Sequence, residues 1–103
     1  MGMPRTFVRK GLSFDRVTIV FKKGAAASQA RAFVADVLHR AHGFRTASRL
    51  TDVLARSGGR FRVAIAQQKV RALTRRLRLL IEAGLITLFV AGRRVPDHRR
   101  GPA

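Results

Sequence analysis

The sequence contains no cysteine, no tryptophan and no tyrosine, and it carries only five acidic residues. Without cysteine the chain has no disulfide, no thiolate metal site and no cysteine nucleophile. Its longest apolar stretch, residues 79–92, is interrupted by Glu82 and falls short of the roughly 18 residues that a membrane-spanning helix requires. The sequence therefore predicts no disulfide scaffold, no cofactor and no membrane partner.

Positive charge dominates what is present. The chain has 22 Lys and Arg residues against five Asp and Glu, which gives a formal net charge of +17 and a pI of about 12.0. Most of the cations are arginine, whose planar guanidinium binds phosphate bidentately and stacks on exposed bases. Because 47% of the residues are hydrophobic, we expect this charge to coat a folded core. A polyanion, above all nucleic acid, is the expected partner.

Three parts of the chain differ in pattern. Residues 1–16 combine glycine, proline and basic side chains without a sustained period, which predicts an extended basic arm. Residues 17–95 are expected to form one domain, because the length of the chain suits a single core. Residues 96–103 form a basic tail without an apolar anchor, and we expect only a partner to order it.

The first half of the domain predicts one strand and two helices. β-Branched residues at 17–21 indicate a short strand. Apolar residues three and four positions apart then predict a helix that Ser28 caps and Gly43 ends. Thr46 is a candidate cap for a second helix, which the glycine pair at 58–59 stops.

The second half predicts a third helix and a hairpin. Residues 66–83 carry an apolar stripe, and Gly84 follows where a left-handed residue closes a helix. Ahead of that helix, residues 61–65 alternate in a way that fits either a short strand or the lead-in to the helix. After it, residues 85–90 have strand character, and the Ala-Gly-Arg-Arg sequence at 91–94 predicts the basic tip of a hairpin.

Basic side chains form a ridge on the third helix. At 100° per residue, Arg71, Arg75 and Arg78 lie within about 60° of one another beside the apolar stripe. Glu82 is the one acid on this helix, whereas a merely solvated face usually mixes both signs. We therefore expect phosphate contacts from the arm, the third helix, the hairpin and the tail. The predicted nucleic-acid-binding residues are Arg5, Arg9, Lys10, Arg16, Lys22, Lys23, Arg60, Arg62, Lys69, Arg71, Arg75, Arg76, Arg78, Arg93, Arg94, Arg99 and Arg100.

Candidates for catalysis are few and scattered. His39, His42 and His98 are well separated, and although Asp36 and His39 share a face of the first helix, no third ligand or nucleophile has a matching spacing. A surface pair explains those two residues. The sequence predicts no enzyme, no catalytic residue, no metal site and no small-molecule substrate.

Phenylalanine is the one aromatic residue type, and most of its seven copies lie in apolar periodic segments where core packing explains them. Phe7 and Phe14 stand beside Arg9 and Arg16 in the arm. Because an aromatic ring next to a cation is typical of single-strand binding surfaces, these two phenylalanines are the candidates for base stacking.

The order of the elements resembles a winged helix-turn-helix domain. Such a domain is mainly α with a small β-hairpin, in which three helices precede a strand pair that forms the wing. The segment Leu77-Arg-Leu-Leu-Ile-Glu-Ala-Gly-Leu-Ile86 is similar to the end of many winged-helix recognition helices. The fold implied is α+β of the winged-helix kind, with three helices, a wing, a basic arm and a basic tail.

Three segments narrow this resemblance. They are Val20-Phe-Lys-Lys23 before the first helix, Thr46-Ala-Ser-Arg-Leu-Thr-Asp-Val-Leu54 as the second helix, and residues 72–90 as the third helix and wing. Together they resemble the twenty-fifth protein of the eukaryotic and archaeal small ribosomal subunit, although the link after Leu54 is longer here. The resemblance implies a cytoplasmic ribosomal protein that contacts ribosomal RNA and neighbouring ribosomal proteins through its arm, third helix and wing.

Two functions follow from these patterns. The first is a structural constituent of the small ribosomal subunit, which suits basic residues spread over several segments. The alternative is a winged-helix transcription regulator, similar in pattern to the metal-uptake repressors, that reads duplex DNA with Gln67, Gln68, Arg71 and Arg75. The chain shows neither a spare amphipathic helix for dimerisation nor a metal-ligand cluster, which favours the ribosomal function.

Overall fold

The protein is an α+β fold, and the computed structural model describes its residues 13–43 and 47–96. Within these ranges the chain runs from a strand through two helices to a second strand, then through two further helices to a hairpin. In chain order the elements are β1 (Phe14–Phe21), α1 (Ala27–His42), α2 (Ala47–Arg56), β2 (Arg60–Ala66), α3 (Gln67–Arg76), α4 (Arg78–Glu82), β3 (Ile86–Val90) and β4 (Arg93–Arg94).

The strands of the described ranges form one antiparallel sheet with the order β2-β1-β3-β4. β1 is central and pairs on both sides, so that Thr18 lies opposite Arg62 on β2 and opposite Phe89 on β3. β3 continues the sheet to β4, where Phe89 lies opposite Arg94. The register of β1 therefore fixes which residues of the other strands share a face.

The predicted winged-helix fold is wrong. One strand precedes the first helix and another separates α2 from α3, so the described residues form four helices on a four-stranded sheet, not a mainly α three-helix domain with a wing. The predicted hairpin exists as β3 and β4, but β3 also pairs with β1. The physical reason is the long-range pairing of β2 with β1, which joins Phe14 to Ala66 and leaves no mark in the local pattern.

The core lies between one face of the sheet and the helices. On β1, Val17 and Ile19 are fully buried and Phe21 is 5% exposed, while the alternate residues point to the opposite face. All four helices send buried side chains to this same core, so they cover that face of the sheet alone. The helical members of the core are Ala30, Val34, Ala35, Val37, Leu38, Leu50, Leu54, Leu73 and Ile81.

The predicted third helix, residues 66–83, is divided in two. α3 and α4 meet at Leu77, whose φ of −95° and ψ of 1° leave the helical region. Leu73, Leu77 and Ile81 nevertheless stay buried, at 0%, 0% and 6% exposure. The backbone bends at Leu77, but the side chain of Leu77 stays in the core. The apolar stripe therefore continues from α3 into α4.

Left-handed glycines end two helices, as predicted. Gly43 closes α1 at φ 69° and Gly84 follows α4 at φ 76°. The amides of Gly84 and Leu85 donate to the carbonyl oxygens of Ile81 and Leu80 at 3.0 and 2.9 Å, which satisfies the last turn. Of the helices in residues 13–43 and 47–96, none is long and apolar enough to span a bilayer.

Several predicted boundaries shift. The strand interpretation of residues 61–65 is confirmed by β2, and residues 14–16 of the predicted arm belong to β1. The predicted Ser28 cap is wrong, because α1 begins at Ala27 without a side-chain cap. Thr46 and the tail beyond residue 96 lie outside the described residues.

Leu77 and Leu79 offer a matched test of the break between α3 and α4. Leu77→Ala is expected to lower the free energy of unfolding by about 2–5 kcal/mol, because it empties a fully buried site. Leu79→Ala, at a side chain that is 75% exposed, should change it by less than about 0.5 kcal/mol. Urea denaturation of both variants measures the difference, and equal losses would contradict the placement of Leu77 in the core.

His42, the last residue of α1, lies in a positively charged and partly desolvated environment. Burial lowers the pKa of His42, and the nearby Lys69 and Arg76 lower the pKa further. Within the described residues, neither ring nitrogen has a hydrogen-bond partner. The folded protein therefore favours the neutral imidazole.

This preference predicts a pH dependence of stability. Since the folded pKa lies below the unfolded value of 6.5, the unfolded chain binds more protons once the pH falls below that value. The free energy of unfolding should therefore fall between about pH 7 and pH 5, and less so in His42→Gln. Denaturant titrations at the two pH values compare the wild type with His42→Gln. An identical pH dependence in both proteins would show that His42 does not contribute to the pH dependence of stability.

Candidate nucleic-acid interface

The sheet face opposite the helices, the outer face, is set by the pleat and the register. Side chains alternate along each strand, and directly opposed residues of an antiparallel pair share a face. Because Thr18 lies between the buried Val17 and Ile19, its partners on the neighbouring strands belong to the outer face as well. The outer face comprises Phe14, Arg16, Thr18 and Val20 on β1, Arg60, Arg62, Ala64 and Ala66 on β2, Thr87 and Phe89 on β3, and Arg94 on β4.

Four of these residues form a single row across the sheet. Arg62, Thr18, Phe89 and Arg94 are each directly opposite the next, with Cβ atoms roughly 5 Å apart. The row begins and ends with a guanidinium group, on β2 and on β4. The ring of Phe89 thus has a hydroxyl on one side and a cation on the other.

An open concavity of about 500 Å³ lies along this face. Phe89 is half-buried at its edge, yet it is not among the residues that pack against the hydrophobic core. Its ring is therefore available to the concavity instead of the core. The lining residues are Arg16, Thr18, Arg60, Arg62, Phe89 and Gly92.

No described acidic residue belongs to the outer face. Asp15 is next to Arg16 in sequence but lies on the other face of the sheet. Its Oδ1 accepts a hydrogen bond of 2.9 Å from Nε2 of Gln67. Asp36, Asp52 and Glu82 lie on α1, α2 and α4. The arginines of the outer face therefore have no carboxylate beside them on the sheet, and their charge attracts anions from solvent.

A tight turn brings Arg94 beside Phe89. Ala91 and Gly92 join β3 to β4, and both have positive φ, 52° and 83°, as two-residue type I′ turns require. The amide of Ala91 donates to the carbonyl oxygen of Arg16 at 2.8 Å. This hydrogen bond ties the turn to β1, so the hairpin cannot swing away from the outer face without breaking it.

A second cationic concavity lies where β1 ends and α1 begins. It encloses about 350 Å³ and brings together Lys22, Lys23 and Arg31. Glycines at 24, 58 and 59 also line it. Lys22 and Lys23 were predicted from sequence, whereas Arg31 was not, because it reaches this place only through the packing of α1 on the end of the sheet.

The predicted cations of the third helix lie on a different side of the molecule, the α3–α4 side. α3 and α4 face the core through Leu73 and Ile81, so their exposed residues point away from the sheet. Nε of Arg78 is 3.7 Å from Oε2 of Glu82, an exposed pair of little energetic weight. The exposed cations of this side are Lys69, Arg71, Arg75, Arg76 and Arg78.

The structure thus brings together only part of the predicted set. The outer face brings together Arg16, Arg60, Arg62 and Arg94. Arg93 is also exposed, but it alternates with Arg94 along β4 and therefore belongs to the other face of the sheet. The remaining predicted residues, Arg5, Arg9, Lys10, Arg99 and Arg100, lie outside the described residues, as does Phe7.

Thr18 and Phe89 are members of the site that the sequence interpretation missed. Phe89 had been assigned to the core because it stands in an apolar run. Period-two alternation from Ile86 and Leu88, which are 3% and 0% exposed, would have placed it on the other face. The same alternation from Val17 would have found Thr18.

The outer face can attract anions, hydrogen-bond to them and offer a flat apolar surface. Within residues 13–43 and 47–96, no three His, Asp or Glu side chains are grouped closely enough to hold a metal ion. Asp36, considered above with His39, pairs with Arg40 at 2.9 Å on the surface of α1. The chemistry of the outer face is that of binding a charged, planar ligand.

Comparison with known proteins finds no related family. The chain matches no protein-family model, and no curated protein and no solved structure is significantly similar to it. The outer face and the charge of the chain are therefore the indications of function.

Proposed function

We propose that the protein binds RNA through the outer face of its sheet. One observation carries this proposal: four arginines and an aromatic ring share a face that the helices leave open and that holds no described carboxylate. Guanidinium groups neutralise phosphates, and each neutralised phosphate releases counterions, which drives association. Thr18 adds a hydroxyl that can donate to or accept from a sugar or a base.

RNA suits this surface better than duplex DNA. The major groove of B-DNA, about 12 Å wide, admits a helix or a two-stranded ribbon. The axes of the two outermost strands of this sheet are roughly 14 Å apart before side chains are added, so the sheet is too wide for the groove. Of the proposed DNA-reading residues, Gln67 is already hydrogen-bonded to Asp15. The structure also excludes the winged-helix fold, on which both the regulator hypothesis and the resemblance to the ribosomal protein depended, so neither resemblance supports a function.

Membership of a ribonucleoprotein assembly, in particular the small ribosomal subunit, extends this proposal. Cations lie on the outer face, on the α3–α4 side and around Lys22, Lys23 and Arg31, which suits a protein that folded RNA encloses on several sides. Sedimentation of the tagged protein from a lysate tests this extension. Co-migration with small subunits supports it, and migration apart from ribosomal particles at low salt contradicts it.

Substituting the outer-face arginines should weaken RNA binding and flatten its salt dependence. Arg16, Arg62 and Arg94 are changed together to Gln, which removes three phosphate contacts without touching the core. Each contact contributes roughly 0.7–0.9 to the slope of log K against log salt, so the magnitude of the slope should decrease by about 2–3. Fluorescence anisotropy with labelled RNA over a range of salt concentrations measures both quantities.

The α3–α4 side supplies the control. Changing Arg71, Arg75 and Arg78 to Gln removes the same charge from the other side of the molecule, and it should reduce the affinity and the slope less. If the two triple variants lose the same affinity, the outer face has no special part in binding. An unchanged slope in the first variant would refute the proposal, provided that thermal unfolding shows it folded.

A further inference from the structure

We propose that the outer face takes an unpaired strand of RNA and stacks one of its bases on Phe89. This inference rests on the proposed function and deepens it, because it names the form of the RNA and the residue that contacts a base. Its starting point is the unusual position of Phe89, an aromatic side chain that lies opposite Thr18 and Arg94 and contributes nothing to the core.

The neighbours of Phe89 match what a nucleotide presents. A base has a flat face that stacks on an aromatic ring, and its phosphate seeks a cation within one side-chain length. Arg94 stands directly beside the ring, and Arg62 ends the same row beyond Thr18. One nucleotide can therefore place its base on Phe89 while phosphates on either side of it meet the two arginines.

A paired helix cannot use this arrangement. In duplex RNA the bases are stacked on one another, and the deep, narrow major groove keeps side chains from reaching them. Phe89 lies on a broad sheet face, lines a concavity and is partly buried. A base must leave its own stack to reach that ring, which selects unpaired segments such as loops, bulges and single strands.

Phe14 provides a second ring on the same face. It has the register of Arg16 and Thr18, and its side chain is 53% exposed. Phe14 precedes Thr18 by four positions, which corresponds to about 13 Å along β1. Arg16 lies between the two rings along the strand, so bases and phosphates of an extended strand can alternate with rings and cations. Phe14 is also one of the base-stacking candidates that the sequence predicts, although there it belongs to the arm.

Loss of the ring tests the inference directly. Phe89→Leu keeps an apolar side chain at the position, and it should lower the affinity for a short oligouridylate about five- to a hundredfold, the range for one stacked base. Its affinity for a hairpin duplex with the same number of phosphates should change less than about twofold, because duplex binding depends on the cations. Phe33→Leu, on α1 at 42% exposure, is the matched control and should alter neither affinity.

The absence of tryptophan and tyrosine allows a second measurement that does not depend on removing the ring. Phe89→Trp places the one indole of the chain on the outer face, where a stacked base quenches its emission. Saturating oligouridylate should quench this emission strongly, and saturating duplex should leave it nearly unchanged. Phe33→Trp should respond to neither ligand.

The outcomes separate this inference from the proposed function. If the duplex binds as tightly as the single strand, or if Phe89→Trp is not quenched when anisotropy shows saturation, the stacking inference is refuted and binding through the arginines stands. If the Gln variant of Arg16, Arg62 and Arg94 binds oligouridylate like the wild type, the proposed function fails as well. Tight single-strand binding that depends on both Phe89 and the arginines supports both proposals.

Discussion

The register of the central strand β1 is the constraint on which the core and the candidate site both depend. Val17 and Ile19 lose all of their exposed surface, and burial of such side chains contributes roughly 1.5–3 kcal/mol each. A slip by one residue would expose them and force Arg16 and Thr18 into the core, where an unpaired guanidinium is very costly. The apolar residues thus determine, through the pleat, which side chains the opposite face presents. The arginines of the outer face are positioned by a core that they do not touch.

This division separates stability from binding. The apolar contacts that hold the fold lie on the helical side of the sheet. The described part of the outer face carries arginines without acids, and neighbouring arginines do not stabilise the folded state. Charge of one sign opposes compaction, so the outer face reduces stability slightly in the free protein. Bound phosphate reverses this effect, because a ligand that binds only the folded state stabilises it by mass action. The composition of the outer face is therefore what the proposed binding requires, and it does not contribute to folding.

The sequence predicted local features better than the pairing of distant segments. Helix α1 with its closing Gly43, the left-handed Gly84 and the strand at Val17 depend on neighbouring residues, and each was predicted from them. The pairing of β2 with β1 joins residues from Val20 and Arg60, 40 positions apart, to Phe14 and Ala66, 52 positions apart, and no local period encodes it. The resemblance to winged-helix domains rested on the order of the predicted elements and on a helix followed by glycine and Leu-Ile. The second feature is the local chemistry of a helix end before a strand, and it recurs in different folds.

For the candidate site, the residue types were predictable and their grouping was not. Net charge and arginine content indicated a polyanion, but only the register showed that Arg16, Arg62 and Arg94 share a face with Phe89. The same geometry limits how much positive charge one RNA strand on the outer face can neutralise, because its four arginines account for a minor part of the net charge of +17. The cations on the α3–α4 side and beside Arg31 remain to be compensated. In the proposed RNA-bound state a second segment of RNA on the helical side would compensate them, which agrees with the proposal of a protein enclosed by folded RNA.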